Sequence, residues 1–155
     1  MAKRLRDTTI WKKQRWFRNL RPIYKLGWNY IIDNCDHAGI YKIEFLELVE
    51  DLGVDYFDML DFIESCNVDY NKANGCKIKR ERISMINENT LWITGFIKFQ
   101  YENKHFLVNP TVHAIHSALT ILEGYGRLHE GLVNGYFELT QPYEFNLIRD
   151  KQKYK

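Results

Sequence analysis

With 155 residues, of which 45% are apolar and 27% charged, the chain has the size and composition of one globular domain, or of one domain with an added segment. No apolar run approaches the roughly 18 residues of a membrane span, and no apolar stretch of a secretory signal follows the basic N-terminal residues. Three cysteines at unrelated spacings do not predict a disulfide framework, so a cytoplasmic location is expected.

The net charge of +2 conceals a strong segregation of charge along the chain. Residues 1–27 carry nine Lys or Arg and one acid, whereas residues 28–75 carry eleven acids and two Lys. Residues 76–82 return to four basic side chains against one acid, and residues 83–155 carry seven of each. A basic block indicates a polyanionic partner, and an acidic block indicates either a basic partner or a solvated face.

The N-terminal third is predicted to contain an arm and a helix. Residues 1–20, the basic arm, have apolar side chains at no clear period, so we expect a tethered arm with at most one helical turn, in which Trp16 and Phe17 contribute to the core. A helix is predicted over about 22–35, because Pro22 suits a first helical turn and apolar residues recur at helical spacing. They are Ile23, Leu26, Tyr30 and Ile31, with Trp28 expected to be buried on the same face.

A short strand at 39–43 and two helices are predicted next. The first helix covers about 44–52, with Gly53 at its C-terminal end and Phe45, Leu48, Val49 and Leu52 facing inward. The second is predicted to be capped by Asp55, with Asp58 as the reciprocal partner, and to bury Tyr56, Phe57, Leu60 and Ile63. The polar stretch 67–75 is predicted as a loop.

Alternating apolar residues predict a β-hairpin from strands 82–86 and 90–94 around the turn 87–89. Residues 96–101 are predicted as a further extended segment, and 111–125 as a helix ended by Gly124 and Gly126. The order helix, strand, helix, helix, hairpin is typical of an α+β winged helix-turn-helix fold. The predicted organisation is a basic arm over 1–20, a winged-helix domain over 21–126 with an additional C-terminal helix, and a tail over 127–155.

Two runs of residues resemble phage and prophage replication proteins, or replisome organisers, whose N-terminal domain is a DnaD-like winged helix. The first run is Trp11, Trp16-Phe17-Arg18-Asn19-Leu20-Arg21-Pro22, Lys25-Leu26, Trp28, Tyr30 and Asp33-Asn34-Cys35-Asp36-His37-Ala38-Gly39-Ile40-Tyr41. The second is Ile93, Gly95-Phe96-Ile97-Lys98-Phe99-Gln100-Tyr101, Asn109-Pro110, His113, His116-Ser117, Leu122-Glu123 and Gly126. The resemblance covers about residues 10–126. It implies a winged-helix fold, and it implies that the protein acts in a bacterial host cell. Longer members carry a charged linker and a second domain after this point.

The basic residues are the candidate DNA contacts, because Lys and Arg neutralise phosphates and interleaved aromatic residues can stack on exposed bases. The alternative for the basic arm is a solubilising extension. The candidate DNA-binding residues are Lys3, Arg4, Arg6, Lys12, Lys13, Arg15, Arg18, Arg21, Lys25, Lys77, Lys79, Arg80 and Arg82.

The two helices after the first strand are acidic, and no Lys or Arg occurs from Ile43 to Asn71. A recognition helix in the major groove lies between two rows of phosphates, where unpaired carboxylates are repelled. Sequence readout by this helix, and with it a transcriptional repressor, is therefore disfavoured. The alternatives are a solvated face or a face for a basic protein partner, whose candidate residues are Glu44, Glu47, Asp51, Asp55, Asp58, Asp61 and Glu64.

Neither a metal site nor an enzyme is predicted. His113 and His116 are expected to share a helix face, but no paired Cys residues with the ligand spacing of structural zinc accompany them. Cys35 lies near His37 in the sequence, but no loop that could stabilise an oxyanion is visible beside them. No phosphate-binding loop or dinucleotide fingerprint occurs, so no cofactor is expected.

The predicted function is a non-enzymatic, phage-type DNA replication accessory protein that binds DNA through the basic arm and the wing region. The alternative is a protein–protein interaction or assembly module without nucleic-acid binding. The charge map also predicts that the basic arm lies on the acidic helices, either of its own chain or of a neighbour in a homo-oligomer.

Overall fold

The computed structural model describes residues 6–101, 111–128 and 130, and the described chain is a mixed α+β structure. Its helices are α1 (Ile10–Lys13), α2 (Arg15–Arg18), α3 (Pro22–Asn34), α4 (Phe45–Leu52), α5 (Met59–Cys66), α6 (Phe96–Tyr101) and α7 (Thr111–Gly124). Its strands are β1 (Ile40–Lys42), β2 (Val68–Tyr70), β3 (Lys77–Lys79), β4 (Ile83–Asn87) and β5 (Thr90–Ile93). None of the helices among these residues is long and apolar enough to cross a membrane.

The chain divides into two units. Unit 1 comprises Met1–Cys35 and Ile40–Thr94 and holds α1 to α5 with all five strands. Its strands form an antiparallel three-stranded sheet in the order β1-β5-β4 and a separate two-stranded antiparallel ribbon of β2 and β3. Unit 2 comprises Asp36–Gly39 and Gly95–Lys155, and within it α6 and α7 bury apolar side chains that include Phe96, Ile97, Ile115 and Leu119.

The basic arm is more structured than predicted. It forms two short helices, α1 and α2, instead of at most one turn. Trp16 and Phe17 are buried, which confirms their predicted place in the core. Trp16 packs edge-on against Phe17 of the same helix and against Trp28 of α3, and the contact with Trp28 fixes α2 against α3.

Helix α3 begins at Pro22 as predicted, but its buried face differs from the prediction. Tyr24, Gly27 and Ile31 are buried, whereas Trp28 is only half-buried and Leu26 is exposed. The reason is the close approach of Phe57, whose ring packs directly against the backbone at Gly27. Gly27 therefore lies at the middle of the buried face of α3. Trp28, the next residue, lies at the edge of that face and is only partly covered.

Helix α4 ends at Gly53, which has the left-handed φ of 70° that favours glycine at this position. The predicted cap of α5 is wrong. The Asp58 side chain, not that of Asp55, caps the helix by accepting a hydrogen bond from the Asp61 backbone N–H at 3.1 Å. Phe57 occupies the core immediately before this cap, so the helix starts three residues later than expected.

Of the positions predicted to face inward on α4 and α5, Leu48, Leu52 and Phe57 are buried. Three others are exposed, namely Phe45, Tyr56 and Leu60, which corrects the prediction for them. Phe62 and Cys66 supply the buried face of α5 instead.

The predicted β-hairpin is confirmed as β4 and β5, with Asn87 closing the turn through a hydrogen bond from the Asn89 N–H. Asn67 ties the end of α5 to the start of this hairpin. Its side-chain oxygen accepts the backbone N–H groups of Arg82 and Ile83 at 2.8 and 3.0 Å, and its amide donates to the Ile83 carbonyl at 2.8 Å. The side chain of Asn67 therefore fixes the direction in which the chain enters the hairpin.

Two segments have a different secondary structure from the prediction. The predicted loop 67–75 contains β2, and residues 96–101 form helix α6 instead of an extended segment. Phe96 and Ile97 lie about 100° apart around α6, so both fall on the same side of the helix and both are buried. The predicted helix 111–125 is confirmed as α7. Of the predicted tail, all but residues 127, 128 and 130 lie outside the described residues.

Candidate nucleic-acid interface

The β2–β3 ribbon places two lysines and a tyrosine on one face. Its antiparallel register pairs Val68 with Lys79 and Tyr70 with Lys77. Side chains that are directly opposite across two strands lie on the same face, and neighbours along a strand alternate. Val68, Tyr70, Lys77 and Lys79 therefore share one side, which we call the basic ribbon face.

Arg15 of the basic arm joins this face through Tyr70. The Arg15 guanidinium carbon lies 4.7 Å from the centre of the Tyr70 ring, a cation–π contact. The same guanidinium lies 3.9 Å from where a Cβ would stand on Gly75, in the turn of the ribbon. Residues about sixty positions apart in the sequence thus contribute positive charge to one surface.

The charges on this face are available to a ligand. Arg15, Lys77 and Lys79 are exposed, and none of the ion pairs found among the described residues involves them. Lys72, in the turn of the ribbon, is exposed as well. The arrangement can hold a row of phosphates, since no carboxylate of the described residues competes with a phosphate for these ammonium and guanidinium groups.

The opposite side of the ribbon is occupied by Asp69 and two arginines. Arg80 lies 3.1 Å from the Asp69 carboxylate and Arg82 3.5 Å from it. Although burial works against ionisation, the Tyr70 N–H and the two arginines hold the pKa of Asp69 below its usual range. Arg80 remains largely solvated, with 66% of its side chain exposed.

Arg82 is part of the interior and does not lie on the basic ribbon face. Its Nη1 donates to the carbonyls of Cys66 and Val68 at 3.2 and 2.6 Å. Its guanidinium also stacks on the Trp16 ring at 4.4 Å, and only 13% of its side chain is exposed. Burial lowers the pKa of Arg82, but an arginine remains charged in this range. Its role is to join α2, the end of α5 and β2.

The other predicted DNA-binding residues are distributed around the arm and α3. Arg6 is neutralised by an ion pair with Asp33 and a hydrogen bond to Asn29 at 2.8 Å. Arg21 stacks on Tyr24, and Lys25 stacks on Trp11. Lys12, Lys13 and Arg18 are exposed, and Lys3 and Arg4 lie outside the described residues.

The β4–β5 hairpin contributes no positive charge, because no Lys or Arg occurs from Ile83 to Ile97. The prediction placed DNA contacts in the wing region, and the basic residues before the hairpin lie in or next to β3. Sequence reasoning missed Tyr70 and Lys72, because they fall in a stretch predicted as a loop. Only the density of basic residues at 72–80 pointed to this part of the chain.

The predicted acidic residues line α4 and α5, and two of them are held by tyrosines. Tyr24 donates a hydrogen bond to Asp61 at 2.5 Å, and Tyr30 donates to Asp51 at 2.7 Å. Among the described residues, no hydrogen bond or ion pair engages the side chains of the other exposed acids on these helices, and no cation of the basic arm pairs with any of them. These acids are Glu44, Glu47, Glu50, Asp55 and Glu64.

The Tyr24–Asp61 contact predicts loss of stability at alkaline pH. Burial of the ring, and then the hydrogen bond to Asp61, raise the pKa of Tyr24 to about 12. The folded state therefore favours the neutral phenol, and this contribution is complete below pH 10 and is lost as the pH rises from 10 to about 12. It amounts to roughly 1–2 kcal/mol, because solvent around the exposed Asp61 screens part of the interaction.

Melting temperatures measured from pH 8 to pH 12 check this expectation. We expect Tyr24→Phe to show a smaller alkaline decline than the unmodified chain, and Tyr56→Phe, at an exposed tyrosine, to match the unmodified chain. An identical alkaline decline in Tyr24→Phe would contradict it.

Cys35 and His37, which could suggest a metal site or a nucleophile, have different hydrogen-bond partners, and the side chains of His113 and His116 lie outside the described part of the structure. The Cys35 thiol is hydrogen-bonded to the Ile32 carbonyl at 3.4 Å, and the His37 Nε2 lies 2.7 Å from the Ser117 hydroxyl. All three cysteines are free, and burial raises the pKa of the Cys66 thiol. Within the described ranges, no three His, Cys, Asp or Glu side chains are grouped closely enough to hold a metal ion.

Comparison of the chain with protein-family models, with curated proteins and with solved structures gives no significant match.

Proposed function

We propose that unit 1 is a winged-helix domain. The order α3, β1, α4, α5, β4, β5 matches the order of elements in that fold, with α4 and α5 as the helix-turn-helix and β4–β5 as the wing. Strand β1 lies beside β5, which joins the strand before the helix pair to the wing in one sheet. On this view the β2–β3 ribbon is an insertion between the second helix and the wing.

The chain acts, in this proposal, as a non-enzymatic DNA-binding accessory protein of phage-type replication. The observation that carries DNA binding is the stacking of Arg15 on Tyr70, which adds a cation of the basic arm to the face that bears Lys77 and Lys79. The resemblance of residues 10–126 to replisome organisers supplies the replication context. Enzymatic activity forms no part of the proposal.

The basic ribbon face is suited to phosphates more than to bases. Lysines on a strand contact the DNA backbone and fix position, whereas sequence is read by side chains that reach the base edges. A two-stranded ribbon has dimensions that the major groove admits. The acidic helix α5, by contrast, is repelled by phosphates. We therefore propose binding with little sequence preference, to duplex or single-stranded DNA, through the ribbon and the exposed residues of the basic arm.

The test is a charge reversal with a matched control. We expect Lys77→Glu combined with Lys79→Glu to weaken binding of a labelled 20-base-pair duplex at least about tenfold at low salt, and to reduce the slope of log affinity against log salt by about two. Lys42→Glu combined with Lys98→Glu makes the same change of charge at two exposed lysines that are not part of β2 or β3, and it is expected to have a small effect. Fluorescence anisotropy over several salt concentrations measures both quantities.

Further variants separate the basic arm from the acidic helices. Reversal of Lys12, Lys13 and Arg15 is expected to abolish binding, and Glu47→Gln combined with Glu64→Gln to leave it unchanged or stronger. Equal losses in the ribbon and control variants would contradict the assignment of the site. Absence of binding to duplex and single strand at low salt would favour the interaction or assembly module instead.

A further inference from the structure

The large apolar side chains that remain exposed are concentrated on α4 and at the start of α5. Leu46 is 82% exposed, Leu60 74% and Tyr56 69%, and the Phe45 ring is centred 6.1 Å from that of Tyr56. Four of the eight large apolar residues exposed in the described part of the chain thus lie within sixteen consecutive positions. Concentrated exposure of this kind marks an interaction site more often than single exposed leucines do.

The fold itself does not require these side chains. On α4 the buried positions are Leu48 and Leu52, and Leu46 lies about 200° around the helix from Leu48, on the side that faces solvent. On α5 the buried positions are Phe62 and Cys66, and Leu60 again lies about 200° from Phe62. A solvated helix face normally carries polar residues at such places. Leu46 and Leu60 are therefore available to a partner.

The charges around these residues define the chemistry of that partner. Five exposed acids flank the exposed apolar residues along the chain, namely Glu44, Glu47, Glu50, Asp55 and Glu64, and no Lys or Arg occurs from Ile43 to Asn71. We call this surface the acidic–apolar face. Phosphates and anionic lipids are repelled by it, which excludes DNA and an anionic membrane as ligands. A ligand that satisfies both features presents apolar side chains flanked by Lys or Arg.

The secondary structure of this surface favours a helical ligand. Extended peptides bind by adding a strand to the free edge of a sheet, and α4 and α5 offer side chains without a strand edge. An amphipathic helix presents an apolar stripe at positions i, i+3, i+4 and i+7 with charged residues on either side. Such a stripe can pack on the exposed apolar side chains around the Phe45–Tyr56 contact while its flanking cations approach the glutamates.

We infer that the acidic–apolar face of α4 and α5 binds a basic amphipathic helix of another protein. The surface is separate from the basic ribbon face, so this inference does not depend on DNA binding. It gives the protein-binding residues predicted from sequence a specific ligand class and adds Leu46, which the sequence did not single out.

The probe for the test is a synthetic 15-residue peptide with leucine on one helical stripe and lysine at the other positions. A control peptide has the same composition with the leucines distributed around the helix. We expect the full chain to bind the first peptide at least about tenfold more tightly than the second, because only the first can place all its leucines on one apolar face. Isothermal titration calorimetry measures both affinities.

Variants of the chain locate the binding surface. Leu46→Ser and Leu60→Ser are each expected to weaken binding of the striped peptide about tenfold. Ile78→Ser removes an exposed aliphatic side chain from β3 and is expected to leave binding unchanged. Glu47→Gln combined with Glu64→Gln is expected to weaken binding and reduce its salt dependence. These two acids are chosen because Asp58 caps α5 and Asp51 and Asp61 hold tyrosines.

Three outcomes would overturn the inference. Equal affinity for the two peptides would mean that the surface selects charge alone, and unchanged affinity in Leu46→Ser and Leu60→Ser would place the site elsewhere. A dimer in sedimentation that these two variants convert to monomer would make a second copy of the chain the ligand. The affinity of Leu46→Ser for duplex DNA is expected to equal that of the unmodified chain, so failure here is distinct from failure of the DNA-binding proposal.

Discussion

Replacing Gly27 by alanine is expected to lower the free energy of unfolding by about 1–3 kcal/mol, the cost of overpacking a core. Replacement of glycine by alanine in a helix interior ordinarily raises the free energy of unfolding, by about 1 kcal/mol. At Gly27 we expect the opposite change. A Cβ at Gly27 would lie 2.8 Å from Cζ and 2.9 Å from Cε2 of Phe57, which is closer than these atoms can approach. The surrounding core must therefore shift to accommodate one methyl group.

Phe57 has little freedom to give way. Its side chain is 2% exposed, and its ring is centred 5.5 Å from that of Tyr24 and 5.2 Å from that of Phe62. Movement of Phe57 would disturb both neighbours, and Tyr24 in turn holds Asp61. The added methyl group would thus displace the contact between α3 and the segment that leads into α5.

Thermal and urea unfolding of Gly27→Ala measure this cost, which corresponds to a fall in Tm of roughly 3–10 °C for a chain of this size. Gly124→Ala is the control, because a Cβ at Gly124 meets nothing within 4 Å and the change is expected to be neutral or mildly stabilising. In the Gly27→Ala background, Phe57→Leu is expected to cost less than it does alone, since it makes room for the methyl group. A higher Tm for Gly27→Ala than for the unmodified chain would contradict the packing argument.

Gly27 also shows why a helix is easier to predict than the face that it buries. Pro22 and the spacing of apolar residues were sufficient to predict α3, because both are local signals. The choice between Trp28 and Gly27 as the inner position depends on Phe57, thirty residues further along the chain. No pattern within 22–34 contains that information. The same reasoning applies to Leu26, which fits the apolar spacing and is exposed.

The candidate site was predictable in composition but not in geometry. Lys77 and Lys79 were identified by charge, yet β3 has no buried residue and β2 none either, so neither strand shows an apolar alternation. The ribbon is defined by its own hydrogen bonds and by the stacking of Arg15 on Tyr70, which are tertiary features. The acidic helices were recognised from their charge, whereas the exposure of Leu60 became evident only from the structure.

Arg82 is a predicted DNA contact whose side chain the structure places largely in the interior. Replacement by methionine, which has a similar length and no charge, is expected to lower the free energy of unfolding by about 2–4 kcal/mol. The change removes the donor to the carbonyls of Cys66 and Val68 and one partner of Asp69. Buried acceptors without a donor account for most of this cost.

Arg82→Lys is expected to be destabilising as well, though less so. A lysine ammonium is a single point of charge, and it cannot reach both carbonyls and Asp69 while stacking on Trp16 as a planar guanidinium does. Arg80→Met is the matched control, because Arg80 shares Asp69 but is 66% exposed, and its loss is expected to cost less than about 1 kcal/mol. Urea unfolding of the three variants gives these differences directly.

DNA binding by the same variants separates an interior role from a ligand contact. Measured well below its melting temperature, Arg82→Lys is expected to bind duplex DNA as tightly as the unmodified chain, because the Arg82 guanidinium faces two carbonyls and the Trp16 ring rather than solvent. Lys77→Glu combined with Lys79→Glu is expected to show the reverse behaviour, with normal stability and weakened binding. Equal unfolding free energies for Arg82→Met and Arg80→Met would show that the interior contacts of Arg82 do not stabilise the fold. Weaker DNA binding by a fully folded Arg82→Lys variant would show that Arg82 contributes to the nucleic-acid interface.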